Sequence, residues 1–239
     1  MTTRKAPSSD DAQKQGKQHR VFASWYPGRA AAMDRAGFAA YRDRFLAGLH
    51  GQVLELGAGS GLNFSHYPPE VERVVAVEPE ARMRELARQA AAEAPVPIEV
   101  VDGVAEDLSP FAGQFDAAVC SLVLCSVPDQ CAALAQLRSV LRHQDGSDVG
   151  EVRLLEHVRA QGRALKRIQG ALDATVWPLI GGGCHCSRDL TEAIAPAGLA
   201  VKSAERFKFP PKGLTLPTSP HLLVTAVPER RADPGRRGR

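Results

Sequence analysis

The stretch Val53-Leu54-Glu55-Leu56-Gly57-Ala58-Gly59-Ser60-Gly61 decides the fold of this 239-residue chain. An apolar run that stops at a glycine reads as a short buried strand. The glycines after it let the backbone turn sharply and come close to a ligand, at the crevice where open α/β sheets hold small molecules. The spacing is G-x-G-x-G, whereas the dinucleotide fingerprint sets its third glycine one place later, where this chain has Leu62. Glu55 stands at the strand tip, two residues before the first glycine. A carboxylate there repels a pyrophosphate and attracts a cation.

Outward from this turn the pattern alternates. Phe38, Tyr41, Phe45 and Leu49 recur at helical spacing and predict a first helix over about 28–49. Strands are expected at 53–56, 74–77, 98–101, 115–124 and 152–155. Helices are expected through Met83, Leu86 and Ala90, and through Cys131, Leu134, Leu137 and Leu141. The run Phe115 to Leu124 is apolar enough for burial on both faces, as in a parallel sheet. Leu165, Ile168, Leu172, Val176 and Leu179 predict one long amphipathic helix reaching Trp177-Pro178. Ser187 is the expected N-cap of a helix through Leu190 and Ile194, and two late strands follow at about 199–207 and 221–227. Strand–helix alternation of this kind means an α/β fold, a Rossmann-like doubly wound sheet of seven strands in a single domain. The domain is expected over 21–228, between a flexible N-terminal segment, 1–20, and a basic flexible tail, 229–239.

Composition narrows the function. With 30 Lys+Arg against 27 Asp+Glu the net charge is +3, too small to make nucleic acid the main partner. No run reaches the roughly 18 apolar residues of a membrane span, so no transmembrane segment is expected. The first twenty residues lack the apolar core of a secretory signal, which predicts a cytoplasmic protein. The five cysteines are an odd number in a chain too long to need disulfide staples. Cys184-His185-Cys186 has no second ligand pair nearby, so no metal site is expected.

The sign argument at Glu55 favours S-adenosylmethionine, whose ammonium and sulfonium are cationic, over a phosphate-bearing cofactor. Gly57, Ala58, Gly59 and Gly61 form the turn around it. Glu78 ends the second strand 21 positions after Gly57, the spacing of an acidic residue that accepts hydrogen bonds from ribose hydroxyls. Pro79 and Met83 suit an apolar wall for the adenine, although Met83 serves equally well as core. Val104, Ala105 and Glu106 follow the third strand and are placed to offer backbone groups to the adenine edge. Cys120 and Leu122, late in the fourth strand, are expected to contact the cofactor in the same crevice.

These residues resemble the class I S-adenosylmethionine-dependent methyltransferases. Val119-Cys120-Ser121-Leu122-Val123-Leu124-Cys125-Ser126-Val127 is similar to the methyltransferase-like thiol S-methyltransferase family in particular. So are Leu155-Glu156-His157-Val158, the Asp173 to Trp177 segment, Gly183-Cys184 through Arg188, and Pro220-His221. The resemblance, over about 50–227, implies methylation of small lipophilic thiols, as detoxification or natural-product self-protection. It also implies a last strand that runs antiparallel beside the fifth. Three departures stand out. Animal members carry an apolar N-terminal anchor where this chain is polar. A longer loop, His143 to Gly150, replaces a tight Pro-Gly-Gly turn. Val104 stands where many members place an Asp for the adenine amino group.

Methyl transfer from a sulfonium is an in-line displacement, so the protein mainly aligns and desolvates the partners. A thiol reacts as its thiolate, which at neutral pH is a minor form that a modest base increases. With the last strand antiparallel to the fifth, His157 and His221 meet at one sheet edge though 64 positions apart. His157 is the expected general base and His221 its assistant; the plain alternative is that both bond loop backbone. Tyr26, Trp177, Cys184 and His185 are the expected acceptor pocket, with the segment around Trp25–Tyr26 as a lid. The rival activity is N- or C-methylation of a phospholipid, a quinone or another small molecule. A nicotinamide-dependent oxidoreductase and a non-catalytic cofactor-binding regulator are the readings from other classes.

Overall fold

The computed structural model describes residues 22–142 and 150–229. The expected N-terminal segment, the expected tail beyond Glu229 and nearly all of the long loop before the fifth strand lie outside these residues. Helix α1 spans 22–33 and runs through a π-helical turn, Asp34–Phe38, into α2, Ala39–Leu46. The expected single helix is bent there because Gly37 takes a φ of 109°, outside helical space and open to a residue without Cβ.

The sheet consists of β1 (Gly51–Leu56), β2 (Val71–Val77), β3 (Ile98–Val101), β4 (Ala117–Ser121), β5 (Glu151–His157), β6 (Leu199–Lys208) and β7 (Pro220–Pro228). Helices α3 (Ala81–Ala92), α4 (Gln130–Ser139), α5 (Arg163–Asp173), α6 (Trp177–Ile180) and α7 (Thr191–Ile194) are interspersed. The strand order is β3-β2-β1-β4-β5-β7-β6, with β1 to β5 parallel and β7 antiparallel between β5 and β6. This is the seven-stranded, single-domain α/β sheet read from the sequence. Order reverses between β1 and β4, so a crevice opens beyond their carboxyl ends.

Alternation along the strands builds a core on each face of the sheet. Leu54, Leu56, Val75 and Val77 pack with Leu134 and Leu137, whereas Val53, Val74 and Ala76 pack with Phe38, Phe45 and Leu46. Period two therefore turns Glu55 toward the α2 side.

Three expected boundaries move for local reasons. The strand expected at 115–124 is β4, shorter at both ends. Phe115 makes only an isolated bridge to Leu141, and Leu122 adopts a φ of 59°, which no strand continues through. The long helix of 165–179 breaks after Asp173 and restarts as α6 with Pro178 in its first turn; proline inside a continuous helix would clash with the carbonyl of Ala174. Its apolar stripe stays outside: Ile168 is 51% exposed, and the buried residue of α5 is Gln169. Ser187 caps no helix. Its hydroxyl donates to Asp173, and Asp189 takes the Thr191 N–H at the start of α7.

Candidate active site

A cavity of about 400 Å³ lies over the β1–β4 crevice, within the range of small-molecule sites. Its floor is the glycine turn. Gly57, Gly59 and Gly61 have φ of 71°, 56° and 81°, the left-handed region. At Gly57 a Cβ would meet Val123 Cγ2 at 2.3 Å, whereas at Gly59 it would meet nothing within 4 Å and would project from the open floor. Gly61 points away from the cavity and allows the close approach of Phe64 and Ala90.

Glu55 lines the cavity and is 1% exposed. Its oxygens accept hydrogen bonds from Asn63 Nδ2 at 2.8 Å and the Tyr67 hydroxyl at 2.7 Å. Asn63 in turn accepts from Arg42 at 2.7 Å, and Arg42 is held by Asp34 at 3.0 Å. Burial pushes the Glu55 carboxyl up to about 7, against the hydrogen bonds and the Arg42 charge that pull it down. The carboxyl thus has no direct arginine partner and retains room for a further donor.

Glu78 lies at the end of β2 with one oxygen accepting from Gly59 N and the other from Glu80 N, each at 2.9 Å. Burial raises its pKa. Pro79, Met83, Ala58 and Leu122 complete this part of the wall. Val104, Ala105 and Glu106 do not line the cavity: Val104 is 44% exposed in a turn bridged to Asp107, and Ala105 is core. Cys120 is also behind the wall, its thiol donating to Glu156 Oε1 at 3.6 Å.

At the opposite end the wall includes Phe22, Tyr26, Val123, Ser126 and Gly182. Phe22 and Tyr26 stack with centroids 4.3 Å apart, and α1 supplies this part of the cavity wall. Behind Tyr26 stand Cys125, His157 and Cys184, with their ligand-type atoms all within 4.8 Å of one another. Cys184 Sγ is 3.1 Å from His157 Nε2 and accepts the Trp177 indole N–H at 3.3 Å. Hydrogen bonding from Cys184 holds the Cys125 thiol well below its usual range. Burial depresses His157 most, but the charge of Cys125, its hydrogen bond to the ring, and the charges of Glu156 and Asp173 together outweigh it and bring the imidazole up to about 9. His157 and His221 face each other in the β5–β7 ladder, ring centroids 6.4 Å apart. Neither lines the cavity. His221 Nδ1 donates to the Ser219 carbonyl, its ring stacks on Phe207, and burial pushes it down to about 4.

The Cys184-His185-Cys186 run does not act as one unit. His185 turns its Nδ1 to the Gly183 carbonyl, and Cys186 turns its thiol to Asp173 at 3.2 Å. The grouping that forms instead takes one residue from each of three segments. Sequence reasoning also missed Arg42, Asn63 and Tyr67, the frame of Glu55, and Glu156, whose Oε1 takes the Val123 and Leu124 N–H groups. The signal for Glu156 was a third acidic residue at the end of a buried strand, after Glu55 and Glu78; the other three carry no local mark.

The methyltransferase-domain family matches residues 54–145, from β1 past α4. Human thiol S-methyltransferase TMT1B is 33% identical over 187 residues, covering 76% of this chain and 73% of its own. Human thiol S-methyltransferase TMT1A is 29% identical over 161 residues, 66% of this chain and 64% of that one. Among solved structures, a SAM-dependent methyltransferase of Thermotoga maritima covers 88% of this chain and 99% of its own with a TM-score of 0.64 at 18% identity, a likeness of fold. The glycine floor and the two buried carboxylates fit S-adenosylmethionine as the cofactor. With that floor, this strand order and relatives of such identity, the chain belongs to the class I S-adenosylmethionine-dependent methyltransferases, in the family of the thiol S-methyltransferases.

Proposed function

We propose that this methyltransferase transfers the methyl group to the sulfur of small lipophilic thiols. In this reading Glu78 takes the ribose hydroxyls and Glu55 takes the cofactor ammonium, which leaves the acceptor the end near Tyr26 and Val123. The observation that carries it is the chemistry of that end. Among the cavity-lining residues the acidic groups are Glu55, Glu78 and Glu80, all on the β1 and β2 side, so the acceptor end offers aromatic and apolar surface without a carboxylate. Such a wall favours a neutral apolar acceptor over a cationic amine. The names of the human relatives point the same way.

The displacement forms a sulfur–carbon bond on the acceptor and breaks the one on the sulfonium, whose electron pair stays on the departing thioether. What the protein adds is alignment and exclusion of water by α1. Since neither imidazole lines the cavity, the role assigned to His157 and His221 is to position the wall at the β5–β7 edge rather than to take the proton directly. The five cysteines are all free, which suits a reducing compartment and a cytoplasmic role in detoxification or self-protection. The test offers purified protein an alkanethiol, an arylthiol, an amine, a quinol and a phospholipid, each with S-adenosylmethionine, and follows the methylated products by mass spectrometry. Methyl thioethers are expected. Turnover of the amine, quinol or lipid with none on either thiol would overturn the reading.

A further inference from the structure

We propose that Cys125, His157 and Cys184 form a three-ligand site for a thiophilic divalent cation of the zinc class, whose fourth position receives the sulfur of the acceptor. The first part stands on geometry alone; the second rests on the thiol reading above.

Two thiolates and one imidazole are the donor set of open zinc sites, in which the remaining position takes substrate. Metal–sulfur bonds of about 2.3 Å and metal–nitrogen bonds of about 2.0 Å put tetrahedral donors about 3.5–3.8 Å apart. The three donor atoms here all lie within 4.8 Å of one another, and Cys184 Sγ and His157 Nε2 are 3.1 Å apart. An ion therefore requires the Cys184–His157 pair to open by about 0.4 Å and the other pairs to close by at most about 1.3 Å.

The cluster is held from three directions. His157 ends β5, Cys125 lies in the turn after β4, and Cys184 lies in the loop after α6. His185 N donates to the Cys125 carbonyl at 2.9 Å, which ties that loop to the turn. Asp173 fixes the loop from the other side by accepting from Cys186 N and Ser187 N at 2.9 and 2.8 Å. The Trp177 N–H on Cys184 is the outer contact that a bound thiolate ligand usually has. The ring's Nε2 faces the Cys184 sulfur, which leaves it the ligating nitrogen, while Nδ1 is buried with no partner among the described residues.

Position supplies the acceptor role. Ser126 and Gly182, beside Cys125 and close to Cys184 in the chain, line the cavity together with Tyr26. A thiol entering there would lose its S–H proton to solvent, keep the electron pair on sulfur and donate it to the ion. The sulfur would be held as an anion next to the methyl donor, with no side-chain base required.

The experiment uses the full chain, purified anaerobically under phosphine reductant, and titrates it with Co²⁺ alone. About one equivalent should bind with a thiolate-to-cobalt charge-transfer band. Cys125→Ser and Cys184→Ser should each lose the band while calorimetry still detects S-adenosylmethionine. Trp177→Phe should weaken Co²⁺ binding roughly 10-fold, the size of an outer-contact loss. Adding an alkanethiol without methyl donor should shift the band. No thiolate band in the unmodified protein, or a band that survives in the double serine variant, would overturn the site. A band indifferent to thiol, in a protein that still methylates it, would overturn the acceptor role. Because methyl thioether formation is measured separately, product without a band removes the ion and keeps the thiol reading, and a band without product does the reverse.

Discussion

Glu55 shows how much one buried carboxyl can decide. Its folded pKa of about 7 lies above the ordinary 4.5, so folding favours the protonated form. The resulting stability is therefore greatest at low pH, declines as pH rises from about 4.5 to 7, and levels off above. The cofactor's ammonium reverses this preference, because only the ionised carboxyl attracts it. We expect S-adenosylmethionine affinity to rise between pH 6 and about 7.5, by up to roughly tenfold per unit below the pKa. Glu55→Gln should flatten that profile and weaken binding about 10- to 100-fold, the loss of one charged hydrogen bond. Calorimetric titration at three pH values checks both; an unchanged profile in the variant would assign the ionisation elsewhere. The identity of Glu55, and the sign of what it holds, were legible in nine residues of sequence. Its frame was not, because Arg42, Asn63 and Tyr67 reach it through side-chain geometry that leaves no periodic trace.

At the scale of elements, the least regular part of the chain, between α5 and α7, is fixed by one side chain. Asp173 is the last residue of α5, and its carboxylate accepts from Cys186 N, Ser187 N and the Ser187 hydroxyl. Burial opposes its charge, yet these donors together hold its pKa below the usual carboxylate range. Such a group stabilises above its unfolded pKa and loses that contribution as pH falls through the folded one. Asp173→Ala strands two backbone N–H groups and should cost about 1–3 kcal/mol. The urea midpoint should fall with an unchanged slope, and the loss should be smaller for Asp173→Asn, which keeps one acceptor. Helical spacing from Leu165 to Leu179 suggested a single helix here, and it fails because a period describes which residues share a face, not whether the backbone can continue through Pro178. The strands fared better: β6 and β7 fall within one residue of their expected limits, since apolar runs between turn residues are local signals.

On the scale of the whole molecule, the cofactor should act as a staple across the crevice, since the cavity that would hold it is lined from α1, the glycine turn, the residues after β2 and those at the end of β4. Saturation at about 100 times Kd adds roughly 2.7 kcal/mol, which for a chain of this size raises Tm by about 5–10 °C. A thermal-shift series should show that rise with S-adenosylmethionine and none with a nicotinamide dinucleotide; equal shifts would undo the sign argument at Glu55. No helix among the described residues is long and apolar enough to cross a membrane. By itself the sequence determined the doubly wound sheet, the glycine floor and the two carboxylates, because strand length, turn chemistry and charge sign are written within a few neighbouring residues. Only the tertiary structure decided that Cys125, His157 and Cys184 meet, that His221 turns to backbone, and that Val104 to Glu106 stay out of the cavity. Those outcomes depend on the β5–β7 register and on where a loop returns after two helices, and such long-range closures are set by the balance of the entire core.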